Sequence, residues 1–208
     1  LLCEQLQKAS VILVGPGLTE ARENQAILHM IFEQVSSQQV LILDGGAISL
    51  LVASQFELPK AQLVFTPHQK EWEKLSGLDL ASQTEEKSRE AVQSFPKGTV
   101  IVEKGPHTRI WTSGQEEGYQ LDVGGPYQAT GGMGDTLAGM IAGFAGQFPQ
   151  VSLYERVVVA TYLHSAIAED LSKEAYVVLP TTISQEIPKW MKKWSDNLNE
   201  NVENETFS

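Results

Sequence analysis

The sequence predicts an α/β domain of three layers, a mainly parallel sheet with helices packed on both of its faces. Three observations carry that prediction. Four short apolar runs are unbroken rather than alternating, as strands buried on both faces are. Longer segments with helical periodicity separate these runs. Everything after about residue 131 is helical in pattern.

In chain order, Val11-Ile12-Leu13-Val14 is the first strand, followed by an amphipathic segment over 20–36. Val40-Leu41-Ile42-Leu43 is the second, with a helical stretch over 47–54. Leu63-Val64-Phe65 is the third, with helical patterns over 69–76 and 83–95, and Val100-Ile101-Val102 is the fourth. Arg109–Thr112 and Tyr119–Val123 flank the polar turn Ser113-Gly114-Gln115 and predict a β-hairpin. Leu137, Met140, Ile141 and Phe144 then fall at i, i+3, i+4 and i+7 of one helix, and a second runs from Ser152 to Leu171. The expected organisation is a single domain over 1–193. A polar, acidic segment over 194–208, containing Asp196, Glu200, Glu203 and Glu205, reads as a flexible tail.

Composition narrows the function. A chain of 208 residues, 42% apolar and 20% charged, can bury roughly 70% of its unfolded surface without staples. The single cysteine, Cys3, excludes an intramolecular disulfide framework and a Cys-cluster zinc site. No apolar run approaches the ~18 residues of a membrane span, and no leader pattern opens the chain, so a cytoplasmic protein without a membrane partner is expected. The 15 basic against 26 acidic residues, net −11, weigh against nucleic acid as a partner.

Chemistry gathers at the strand ends. The four buried runs lead into Gly15-Pro16-Gly17, Asp44-Gly45-Gly46, Thr66-Pro67-His68 and Lys104-Gly105-Pro106-His107. In an open parallel sheet these loops emerge at one carboxyl edge, where ligands bind. Any one of them alone reads better as an ordinary turn, and it is the four together that point to one shared crevice. The strongest local signal is Thr130-Gly131-Gly132-Met133-Gly134-Asp135-Thr136-Leu137-Ala138-Gly139, a glycine-rich turn running into an amphipathic helix. Such a turn points backbone N–H groups into one concavity at the positive end of a helix, a place for phosphoryl charge. Asp135 in the first turn reads as an N-terminal carboxylate by itself, but that leaves three glycines beside it unexplained. The spacing matches neither a Walker A loop nor the dinucleotide fingerprint.

Together, and in this order, these motifs resemble the ADP-dependent NAD(P)H-hydrate dehydratase family of ribokinase-like proteins. The glycine–aspartate motif looks like the superfamily's anion hole, while Thr66-Pro67-His68 with Glu71 and Lys104-Gly105 make the likeness to the dehydratases specific. The resemblance covers about residues 10–190. It implies a ribokinase-like fold and repair of hydrated NADH and NADPH (NADHX and NADPHX). ADP or ATP phosphorylates the added hydroxyl, and elimination of phosphate regenerates the nicotinamide ring. It further implies Asp135 as the base, beside an anion hole of Gly132, Met133 and Gly134. Gly17 and His68, with Asp135, would contact the hydrated dinucleotide. Lys104, Gly105, Pro106, His107 and Thr108, with Gly134, would hold the adenine nucleotide. Mg²⁺ would bridge the phosphates without a metal site built from side chains, and the protein would be a homo-oligomer, a tetramer.

The sequence departs from the family in places. Asp44-Gly45-Gly46-Ala47-Ile48 stands where an Asp-Ala-Asp-Ala-Leu-like stretch is usual, so a second carboxylate is absent. Gly125-Pro126-Tyr127-Gln128 replaces an Asn-Pro-Gly-Met-like stretch. Family members carry a further strand–helix–strand unit ahead of the first Gly-Pro-Gly strand, where only ten residues precede Val11. Two alternatives stay open on the residues: a thiazole- or pyrimidine-type kinase on the same fold, and an inactive nucleotide-binding protein. Elsewhere, His164 lies on an apolar helix face and reads as a packed, hydrogen-bonded histidine. Glu71 is either a first-turn carboxylate or a catalytic one. Lys104, ending a buried strand, needs a partner, whether phosphate or a nearby Asp or Glu. Trp72, Trp190 and Trp194 read as core or surface contacts, and nothing marks Cys3 as a nucleophile.

Overall fold

The computed structural model describes the backbone of residues 2–206 and the side chains of residues 2–197. Elements follow in the order α1 (Leu2–Lys8), β1 (Val11–Val14), α2 (Arg22–Gln34), β2 (Val40–Leu43), α3 (Gly46–Ser54), β3 (Gln62–Phe65), α4 (Gln69–Ser76), α5 (Glu85–Val92) and β4 (Val100–Glu103). Then come β5 (Arg109–Thr112), β6 (Tyr119–Gln120), α6 (Met133–Ala145), α7 (Leu153–Ser172) and α8 (Pro180–Thr206).

The sheet has six strands in sequence order. β1 to β4 are parallel, and β4, β5 and β6 continue antiparallel, as the buried runs and the hairpin predict. Because each parallel strand is added on the same side of the last, right-handed crossovers place α2, α3, α4 and α5 on one face. The C-terminal helices cover the other. Period-2 alternation in the strands therefore feeds two cores. Leu41, Leu43, Leu63, Phe65 and Ile101 join Leu28, Ile48 and Trp72 beneath the crossover helices. Val40, Ile42, Val64, Val100 and Val102 join Leu137, Ile141, Val157 and Leu163 beneath α6 and α7. Each such fully buried side chain contributes about 1.5–3 kcal/mol. Trp72, 0% exposed, is a core residue.

Two boundaries differ from expectation. β6 ends at Gln120 rather than Val123, because Gln120 already pairs with Arg109, the first residue of β5. Only the Leu121 N–H continues the ladder, donating to the Thr108 carbonyl at 2.9 Å. At the other end, the boundary expected at residue 194 falls inside α8. Trp194 lies 6.1 Å from Trp190 and 6.2 Å from Tyr162, ring centre to ring centre, and packs on the α6–α7 core. Residues 190, 191 and 194 share one helix face, which is why the helix does not stop there. The side chains of Glu200, Glu203 and Glu205 lie outside the described residues. Among the described residues no helix is long and apolar enough to cross a membrane.

Candidate active site

The alternation that fills the α6–α7 core continues past the strand ends. Asp44, Thr66 and Lys104 each follow a core-facing residue of β2, β3 or β4 by two positions, so all three point to the face that carries α6. They meet there. Thr66 Oγ1 donates to Asp44 Oδ1 at 2.6 Å, and Lys104 Nζ donates to the same oxygen at 2.8 Å. Asp44 is 3% exposed and Thr66 is fully buried, so Asp44 is the partner that a strand-end ammonium requires. The sheet ladder holds this edge: the Lys104 N–H donates to the Pro67 carbonyl at 2.8 Å, and His68 and Lys104 form a parallel bridge.

The glycine-rich turn closes over the trio. Gly132 is the N-cap of α6 at φ 84°, a left-handed conformation natural to glycine. The turn is tied down by Thr130 Oγ1, which donates to the Val178 carbonyl at 3.1 Å, and by the Met133 N–H, which donates to the Thr130 carbonyl. The first N–H groups of a helix have no intrahelical acceptor, so the start of α6 presents donors and partial positive charge. A Cβ on Gly134 would stand 3.4 Å from Lys104 Nζ, which places the helix start directly against the ammonium. Asp135 sits in this first turn and is exposed.

The remaining candidates divide. Gly105, Pro106 and His107 form an exposed loop closed by Thr108 Oγ1, which donates to the Gly105 carbonyl at 3.2 Å. This loop leaves β4 beside the trio. Gly17 is exposed at φ 72°, and a Cβ there would meet nothing within 4 Å. Its neighbour Gly15 is the constrained one: at φ 130°, a Cβ would lie 1.6 Å from the Asp44 carbonyl oxygen, so the first two strand-end loops touch through backbone.

His68 and Glu71 form a capping box on α4. His68 Nδ1 accepts from the N–H groups of Lys70 and Glu71, while Glu71 Oε2 accepts from the His68 N–H at 2.8 Å. With Nδ1 accepting, the imidazole proton is on Nε2, which lies 3.3 Å from Glu71 Oε1. Glu71 is thus the first-turn carboxylate, and His68 caps a helix with half of its side chain still exposed.

His164 lies under the turn, 3% exposed on α7. Gln128 Nε2 approaches its Nδ1 at 3.4 Å, while Nε2 has no partner among the described residues. Burial holds the imidazole down to about 4, against a smaller upward pull from the Met133 backbone. It is packed, as expected, but only half hydrogen-bonded. Sequence reasoning missed the Asp44–Thr66–Lys104 convergence, whose signal was the shared two-residue offset. It also missed Glu103, a buried carboxylate signalled by a charge closing the apolar run of β4.

A family model described as NAD(P)H-hydrate dehydratase matches residues 2–189. The chain is 60% identical over 192 residues to the ADP-dependent (S)-NAD(P)H-hydrate dehydratase of Streptococcus pneumoniae, covering 92% of this chain and 66% of that protein. A ribokinase-like superfamily protein of Enterococcus faecalis V583, solved by crystallography, superposes with a TM-score of 0.87 at 45% identity, over 93% of this chain and 66% of that one. The ADP/ATP-dependent NAD(P)H-hydrate dehydratase of Bacillus subtilis, co-crystallised with ATP and Mg²⁺, superposes with a TM-score of 0.73 at 27% identity, over 92% and 71%. The chain therefore spans about two thirds of the length of the proteins it matches.

Proposed function

The chain belongs to the NAD(P)H-hydrate dehydratase family, and on that premise we propose that it dehydrates hydrated NADH or NADPH in a reaction driven by ADP or ATP. The observation that supports this most is the contact between the first turn of α6 and the Asp44–Thr66–Lys104 trio. A transferring phosphoryl group placed there meets a helix N-terminus and a fixed ammonium together. In this reading the backbone of Gly132, Met133 and Gly134 forms the anion hole, and Lys104 to Thr108 with Gly134 hold the nucleotide. Gly17 and His68 contact the dinucleotide.

Asp135 accepts the proton of the added hydroxyl, and the oxygen so freed attacks the terminal phosphorus, leaving a nucleotide one phosphate shorter. The C–O bond of the new phosphate ester then breaks, and phosphate leaves with its electron pair. Loss of a proton from the neighbouring carbon restores the ring double bond. Mg²⁺ would be held mostly by the phosphates, and neutralising their charge is the chemistry it supplies. Among the described residues no group of three or more His, Cys, Asp or Glu side chains is placed to hold a metal ion. By the same family reading the protein works in the cytoplasm as a homo-tetramer, which sedimentation velocity checks. Neither a product-releasing kinase nor an inactive binder is favoured by the relatives.

The test is incubation with hydrated NADPH, Mg²⁺ and either ADP or ATP, following the near-ultraviolet absorbance of the restored dihydronicotinamide. A rise that depends on nucleotide is expected, and the more effective nucleotide names the donor. Accumulation of a phosphorylated dinucleotide with no rise would point instead to the kinase. No consumption of nucleotide would sink both.

A further inference from the structure

Glu103, the last residue of β4, is a carboxylate that the reaction above does not use. It is 5% exposed and points to the face opposite Lys104, into the layer of α4 and α5. Its Oε1 accepts from Arg109 Nη2 at 3.0 Å and from Ser88 Oγ at 3.2 Å, and its Oε2 accepts from Trp111 Nε1 at 3.0 Å. Ser88 Oγ in turn accepts from Trp72 Nε1 at 3.1 Å. Arg109 Nη2 also donates to the Gln83 carbonyl at 3.3 Å, and Gln83 Nε2 donates to the carbonyl of Gln69, the residue after His68, at 2.9 Å.

Glu103 and Arg109 are the final register pair between β4 and β5, and the chain between them is Lys104–Thr108. Within that loop the internal bonds are long, 3.4 Å from the Gly105 N–H to Thr108 Oγ1 and 3.2 Å for the return. Its shape is set at its two ends, and the Glu103 cluster grips both. A buried ion pair is seldom worth more to stability than apolar side chains of the same volume, which makes its directional bonds the notable feature. Alternation along β4 converts that direction into a position for Lys104. With Glu103 held on one face, Lys104 points to the other, toward Asp44 and Gly134.

We propose that the Glu103–Arg109 pair, with Ser88 and Trp111, is a positioning clamp for adenine-nucleotide binding. It presets the Lys104–Thr108 loop, so a nucleotide meets the loop already ordered and binding does not bear that entropy. The clamp rests on the reading of this loop as the nucleotide site, and Glu103 acts through the loop without touching ligand.

The test is titration calorimetry with ADP and with ATP on the unaltered chain, Glu103→Gln and Trp111→Phe, together with the KM for hydrated NADPH and thermal unfolding. Glu103→Gln keeps the shape but sets an amide N–H against one of the cluster's donors. Trp111→Phe removes a single donor and leaves the ion pair. Nucleotide affinity is expected to fall about ten-fold in the first and roughly three-fold in the second, with the KM for hydrated NADPH within about two-fold of the parent. A folded Glu103→Gln that binds nucleotide as tightly as the parent overturns the clamp. So does equal weakening toward nucleotide and dinucleotide, which is what a merely structural cluster gives. If Glu103→Gln does not fold, the same comparison on Trp111→Phe decides. A parent chain that binds neither ADP nor ATP overturns the clamp and the underlying nucleotide reading together, whereas binding without turnover leaves the clamp measurable and sinks only the dehydratase reaction.

Discussion

Lowering the pH from 7 toward 4 charges His164 in the unfolded chain well before it does so in the folded one. The imidazole is 3% exposed on α7, and burial holds it down to about 4 against an ordinary value of 6.5. Between those two values the unfolded chain binds a proton that the native chain does not, so stability rises with pH across the window and is lost as pH falls through it. Well above 6.5 neither state is charged, and the effect vanishes. Each pH unit inside the window is worth at most about 1.4 kcal/mol, so a drop to about pH 4.5 removes about 2 to 3 kcal/mol. That is a large fraction of an ordinary domain's stability. The perturbation is His164→Gln, which keeps a polar group near Gln128 but has no proton to take up. Urea denaturation of both proteins across a buffer series from about pH 7.5 to 4.5 gives the two stability curves. Carboxylate titration is common to both, so their difference isolates His164. The parent should lose about 2 to 3 kcal/mol more than the variant over this range. Parallel curves would refute the burial argument.

Three further outcomes are expected. Asp135→Asn should abolish nucleotide-dependent restoration of the dihydronicotinamide, with thermal midpoint and nucleotide affinity retained; an active Asn variant removes Asp135 as the base. Gly15→Ala should cost about 3 kcal/mol or more by urea denaturation, because its Cβ would lie 1.6 Å from the Asp44 carbonyl at a positive φ; a loss under about 1 kcal/mol would mean the two loops separate freely. His68→Ala should lose about 1 kcal/mol of capping energy, whereas His68→Asn, a good N-cap, should lose little. A raised KM for hydrated NADPH in both variants would then reflect substrate contact, and an unchanged KM in His68→Asn would leave the residue as a cap alone.

Much of the architecture was legible because the strands are short, apolar and buried on both faces. A run such as Val40–Leu43 has no other low-energy place to be, and its limits are set by the Asp44-Gly45 that follows. Periodicity likewise exposed α6 and α7, whose apolar residues recur on one face. The end of β6 was not legible, because it depends on where β5 begins, and strand pairing is invisible to local pattern. The continuation of α8 past residue 194 was hidden for a related reason: Trp194 belongs to a helix face only once Tyr162 lies opposite it.

By itself, then, the sequence determined the layer order, the run of loops at one sheet edge and the glycine-rich helix start, since each follows from periodicity or from the backbone freedom of single residues. Only the tertiary structure decided which side chains those loops share. Asp44, Thr66 and Lys104 follow three different strands: parallel pairing sets Asp44 level with Thr66, while Lys104 stands level with His68, two residues further along, and its long side chain reaches Asp44. His68 became a cap, and Glu103 the hub of a buried cluster, through the same kind of contact. Hydrogen bonds between residues up to 60 positions apart depend on how strands stack, and no local preference of a residue carries that information.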